Sequence, residues 1–165
     1  MLLRLSKISL VAAAALFLAI VVFNNVTDYG SNFEFVRHVL NMSTTFPGNH
    51  GMWRAIEAPA MHHAFYAGII FWELASTVLI AAGALKLWAA REASAADWQR
   101  AKSIATAGLV LNLLLWFLAF ITIGGEWFLM WQSAKWNGQN AAFRMFACLG
   151  LILIFLQQRD DEPAA

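Results

Sequence analysis

The sequence predicts an all-α membrane protein: a bundle of four transmembrane helices, both termini cytoplasmic, with a long helical outer loop between the first two spans. Composition is the first observation behind this. Of 165 residues, 61% are hydrophobic and 13% charged, with a mean hydropathy of +0.60, whereas a soluble domain is about half apolar and a quarter charged. The second is that four apolar stretches, approximately residues 5–26, 59–90, 104–123 and 139–156, each approach the roughly 20 residues a helix needs to cross a bilayer. The third is the placing of Lys and Arg, which sets the orientation.

The first stretch follows Arg4 and Lys7. A cleaved signal peptide would begin in the same way, but Phe23-Asn24-Asn25-Val26 offers no small-x-small cleavage site, so a retained span is expected. The second stretch opens at Pro59, acceptable in a first helical turn, and is long enough to tilt or to project past the bilayer. Together the four form a single transmembrane domain over 1–165.

Positive residues are retained on the cytoplasmic side. Arg4, Lys7, Lys86, Arg91, Arg100, Lys102 and Arg159 fall on one side, and Arg37, Arg54 and Lys135 on the other. Seven against three puts both termini inside; Arg144 lies within the fourth span. The polar residues from Arg91 to Lys102 need no role beyond solvation and retention, with Ser94 or Asp97 free to cap the third helix.

In the outer loop, Ser31 followed by Glu34 reads as a capping box, and Phe33, Val36, Val39 and Leu40 recur at helical spacing. A short amphipathic helix on the membrane surface or over the bundle mouth is expected, broken at Thr45-Phe46-Pro47-Gly48-Asn49, with a second short helix over 52–57. Trp53, Trp127, Trp131 and Trp136 gather at the outer boundary, and Trp88 and Trp98 flank the inner one, as interfacial indoles do.

Ionisable groups at membrane depth carry more information, because each requires a partner or a wet cavity. Glu73 sits well inside the second span. At 100° per residue, His62, Tyr66, Ile69, Glu73, Ser76, Thr77 and Ile80 share one face. On the third span Asn112, Trp116, Ala119, Ile123 and Glu126 do so, and on the fourth Asn137, Asn140, Arg144 and Cys148. The first span adds Asn24, Asn25 and Asp28 at its outer end. These residues predict a polar cluster in the outer half of the bundle, serving to bind or to fix packing, with Arg144 as the one buried cation available to Glu73 or, by depth, to Glu126.

Other chemistries find little support. The single cysteine, Cys148, excludes an intrachain disulfide and paired-cysteine zinc motifs. His62 and His63 with Asp28, Glu57, His38 or His50 could ligate a transition metal, but adjacent helical histidines point about 100° apart, so no metal is assigned. Histidines at one helix end do not suit a membrane haem. No catalytic constellation stands out, no cofactor is implied, and a net charge of +1 offers no footprint for nucleic acid.

One set of motifs is specific. Gly125-Glu126-Trp127-Phe128, Met130-Trp131-Gln132-Ser133, Trp136-Asn137-Gly138-Gln139 and Phe143-Arg144, with Asn24-Asn25 through Asp28-Tyr29, resemble a family of predicted small integral membrane proteins from bacteria, a domain of unknown function. The resemblance covers nearly the whole chain. It implies a bacterial inner (cytoplasmic) membrane and four helices, and it assigns no reaction, ligand or partner.

The function expected is that of a non-enzymatic membrane component, in contact with the lipid bilayer, that self-associates or docks on a larger membrane complex. Small residues at Ala12 to Ala15, Gly68 and Ala81-Ala82-Gly83-Ala84 permit close helix contacts. The alternative is an oligomeric ion or small-solute channel or transporter using Glu73. A membrane-embedded enzyme or redox protein, for instance one that binds quinone, ranks third.

Overall fold

The structure, a computed structural model, describes residues 1–160. Among these the chain is helical with no strand. Helix α1 spans Leu2–Thr27, α2 Tyr29–Leu40, α3 Pro59–Ala89, α4 Ala95–Trp127 and α5 Gln139–Gln157. All but α2 are long and apolar enough to cross a membrane. Four crossings return the chain to its starting side, so both described ends and the α3–α4 turn share one end of the bundle, called here the terminal end. The opposite, loop end carries α2 and the segments around it.

Each helix forms for a local reason. Pro59 occupies the first turn of α3, where its missing N–H is no loss. At about 1.5 Å per residue, the 31 residues of α3 run well past the hydrocarbon thickness. The Ser94 side chain caps α4 by accepting from the Asp97 N–H at 3.2 Å. The second half of α4, Leu115–Trp127, is wound as a π-helix; the Thr122 hydroxyl bonds the Phe117 carbonyl five residues back, and the Phe128 N–H bonds the Ile123 carbonyl. That winding is uncommon and recurs at functional sites.

The core of the terminal half packs Val11, Leu18, Ile80, Leu87, Ala105 and Leu109, all completely covered, between α1, α3 and α4. Contact between α3 and α4 is close because a glycine stands on each side: Gly83 against the Ala105 backbone and Gly108 against Ile80. At the loop end, α2 lays Val36, Val39 and Leu40 over Tyr66, Phe128 and Met130. The two connections there are sewn together. Gln132 accepts from the Phe46 N–H at 2.9 Å, Thr44 donates to Ser133 at 2.8 Å, and Arg54 donates to the Trp127 carbonyl at 3.0 Å while lying over the Trp53 and Trp127 rings.

Several local expectations are corrected. Helix α2 begins at Tyr29 behind Asp28, so Ser31 lies inside it and bonds the Asp28 carboxylate instead of closing a capping box with Glu34; Glu34 pairs with Arg37. Only Met52–Arg54 forms a turn of 3-10 helix where a short helix to Glu57 was expected. Trp98 is completely covered, not an interfacial anchor.

Candidate functional site

A chain of side-chain hydrogen bonds crosses the bundle at the level of Glu73. The regular α-helix of α3 turns Tyr66, Glu73, Ser76 and Thr77 inward together, and all are buried. Asn25, buried on α1, donates from Nδ2 to Glu73 Oε2 at 2.7 Å, accepts at Oδ1 from Asn32 of α2 at 2.6 Å, and accepts at its carbonyl from the Tyr66 hydroxyl at 3.3 Å. Ser76 and Thr77 donate back to the Glu73 carbonyl at 2.9 and 2.7 Å. Asn112 of α4, completely covered, donates to the Ser76 hydroxyl at 2.8 Å and accepts from Trp116 Nε1 at 2.8 Å. Four helices are thus joined through one polar layer, and Asn25 is held from three sides with its amide aimed at the carboxylate.

Beside this layer lies a cavity of about 260 Å³, to which all five helices contribute. Its polar wall is Asn25, Asn32, Tyr66 and Glu73, and its apolar wall includes Phe35, Trp116 and Phe120. Of the carboxylate oxygens only Oε2 receives a donor among the described residues. A carboxylate at membrane depth without a cation is unfavourable by a few kcal/mol or more if ionised, so the polar layer holds Glu73 in place without balancing its charge.

The layer is also structural. Asn112→Leu strands the Trp116 N–H and removes the donor to the Ser76 hydroxyl, and an unfolding titration in detergent is expected to show a loss of about 2 kcal/mol; an unchanged midpoint would mean the layer does not hold α3 to α4.

Not every polar residue singled out in the sequence joins this layer. Asn24 and Asp28 are exposed. His62 is buried at the end of α3, but its Nε2 is 2.7 Å from the Ile56 carbonyl, where it anchors the preceding segment. His63 stacks on Phe33 and lies 2.9 Å from the Tyr29 hydroxyl. No group of three metal-ligating side chains forms among the described residues. Asn137 is exposed and caps the Gln139 N–H.

Arg144 and Glu126 depart from expectation. Arg144 is exposed and pairs with neither acid; with Asn140 and Cys148 it lies on the outward face of α5. Periodicity groups those residues but does not say whether their face looks in or out. Glu126 is exposed as well, with Gln139 Nε2 3.5 Å from its Oε1. Here the π-winding is the reason. Hydrogen bonds from i to i+5 turn the chain by roughly 85° per residue instead of 100°, so from Trp116 to Glu126 the direction lags by about 150°, and the acid leaves the face that Asn112 and Trp116 share.

A second polar cluster, at the terminal end, was not anticipated. Lys7 of α1 and Lys102 of α4 each place Nζ 2.7 Å from Asp160 Oδ2, with side chains almost wholly covered. Both also donate to the Gln158 carbonyl, at 2.6 and 2.9 Å, and Trp98 Nε1 donates to Asp160 Oδ2 at 2.8 Å. Arg4 lies over the Trp98 ring and donates to the Arg91 and Ala93 carbonyls. All three cations read in the sequence as charges retained on the cytoplasmic side, and Lys102 as solvated there. Helical spacing from Asn25 back through Val22, Leu18, Ala14 and Val11 reaches Lys7 and Arg4, and from Asn112 back through Leu109 and Ala105 reaches Lys102; that is the signal that marks them as inward-facing.

The chain finds no match among curated proteins or solved structures. A family model described as "Predicted small integral membrane protein (DUF2165)" matches residues 3–159. That span takes in every transmembrane helix and both polar clusters up to Gln158, and the chain therefore belongs to this family of integral membrane proteins of unknown function.

Proposed function

We propose that the protein is a non-enzymatic, multi-pass component of the bacterial inner membrane, with both termini cytoplasmic, that self-associates or docks on a larger membrane complex. The observation that carries this reading is the outward face of α5, where Arg144 stands exposed inside a membrane-crossing helix with Asn140 and Cys148 one turn to either side. An ionisable residue at such a position calls for a partner. Glu126, exposed near the loop end of α4, has the complementary charge, so a second copy supplies a counter-ion that the first does not use. The excess of Lys and Arg at the terminal end supports the orientation.

Conduction is the weaker alternative. Between Glu73 and the terminal end, the interior is filled by Leu18, Ile80, Leu87 and Leu109, which leaves no evident route through one copy.

The test is the mass of the particle in lipid nanodiscs. Wild type is expected to be larger than one chain. Arg144→Glu and Glu126→Arg are each expected to weaken association about ten-fold or more through like-charge contact, and the double exchange to restore it. A wild-type particle of one chain with no co-isolated protein would end the proposal, as would reversals that leave the mass unchanged.

A further inference from the structure

We propose that the cavity beside Glu73 is a binding site for a small organic cation, an ammonium group carried on a compact apolar body. Three observations converge on it. Glu73 is 2% exposed, lines the cavity, and has no donor on Oε1 and no cationic partner among the described residues. Asn25, fixed by Asn32 and Tyr66, occupies Oε2 and so orients the free oxygen. The remaining wall is apolar and carries three aromatic rings: Trp116 and Phe120 pack with centroids 4.7 Å apart, and Phe35 stacks on Phe120 at 6.3 Å.

This combination selects among cations. A hard metal ion takes six or more oxygen ligands, and one free carboxylate oxygen, beside Asn25 and Tyr66 oxygens already engaged in hydrogen bonds, does not supply them. An ammonium needs one counter-charge and is itself attracted to ring faces, while its hydrocarbon part packs against them. The volume, about 260 Å³, lies just below the usual range for drug-sized ligands, which restricts the ligand to a ring or short chain bearing one charge. Asn32 and Ala141 are the exposed members of the lining; they mark the mouth, between α2 and the start of α5. The ammonium can come from a free amine or from an ethanolamine lipid headgroup, and the chemistry at Glu73 is the same.

The full-length protein in phosphatidylglycerol nanodiscs is titrated calorimetrically with 2-phenylethylammonium and with its neutral analogue 2-phenylethanol. Saturable binding of the cation is expected, with the alcohol weaker by about ten-fold or more. Glu73→Gln is expected to lose the same factor. Should that variant fail to fold, Ala141→Phe fills the mouth without touching Glu73 and is expected to abolish binding.

A second arm transfers the protein to mixed phosphatidylethanolamine and phosphatidylglycerol membranes and reads bound lipid by native mass spectrometry. Ethanolamine lipid kept by wild type and lost from Glu73→Gln or Ala141→Phe identifies the headgroup as the source; cation binding without such lipid identifies a free amine. The proposal is overturned if wild type takes neither, if the alcohol binds as well as the cation, or if both variants bind as wild type does. None of these outcomes depends on the oligomeric state.

Discussion

Asp160→Ala is expected to lower stability by about 2–3 kcal/mol, a loss read as a shift in the unfolding midpoint in detergent. In wild type, one carboxylate oxygen collects Lys7, Lys102 and Trp98. Without it, two covered ammonium groups face each other with only the Gln158 carbonyl between them. Breaking one partner of a fully interior pair costs about 3–5 kcal/mol; this cluster lies at the end of the bundle, where water can relax into the vacated space, so the lower figure applies. In a Lys7→Met, Lys102→Met background the same substitution is expected to be nearly silent, because the charges it strands are gone. A full effect in that background would show that Asp160 acts through something other than the lysines.

The same cluster sets an acid limit. Burial alone would raise the Asp160 carboxyl, but the bonds from Lys102, Lys7 and Trp98 outweigh it and hold the group below its ordinary 3.8. A carboxylate depressed on folding contributes its stabilisation above the unfolded value and loses it as pH falls through the folded one. The contribution is therefore constant near neutrality, begins to fall near the ordinary 3.8, and is gone once pH passes below the still lower folded value. The Asp160→Ala variant is expected to lack that acid limb.

Gly83→Leu is expected to be at least as damaging, by about 3 kcal/mol or more. A Cβ at this position would meet the Ala105 backbone, with Ala105 Cα at 2.5 Å, and Gly108 across the crossing leaves a Cβ only 2.7 Å from Ile80 Cγ1. Because what a Cβ at Gly83 meets is the Ala105 backbone, no side chain can swing aside to admit it, so α3 and α4 must separate. Separation also breaks the Ser76–Asn112 bond about two turns away, and with it the support of Trp116 in the cavity wall. Gly68→Leu is the control: nothing lies within 4 Å of a Cβ there, and a change within about 0.5 kcal/mol is expected. Equal losses at both glycines would mean that the added side chain acts by a route other than the crossing, since leucine is the better helix former.

Glu73, Tyr66, Ser76 and Thr77 were legible as one inward face because α3 is a regular α-helix and its 100° step holds throughout. The same step failed on α4 beyond Leu115, where π-winding turns Glu126 outward. It also left the sign of the α5 stripe open, since Asn140, Arg144 and Cys148 are equally well aligned whether they face the bundle or not. Asn32 was missed because it lies outside the spans, and its bond to Asn25 depends on how α2 folds back over the bundle.

The sequence by itself determined the helical class, the number of spans and the presence of a buried acid, because hydropathy and helical period are properties of neighbouring residues and add up locally. Which charges meet was decided only by tertiary structure. Lys7 and Lys102 find Asp160 across 153 and 58 positions of chain, and Arg144 finds no acid at all among the described residues. Pairing depends on the rotation and depth of whole helices, and these follow from how residues such as Gly83 and Ala105 fit together.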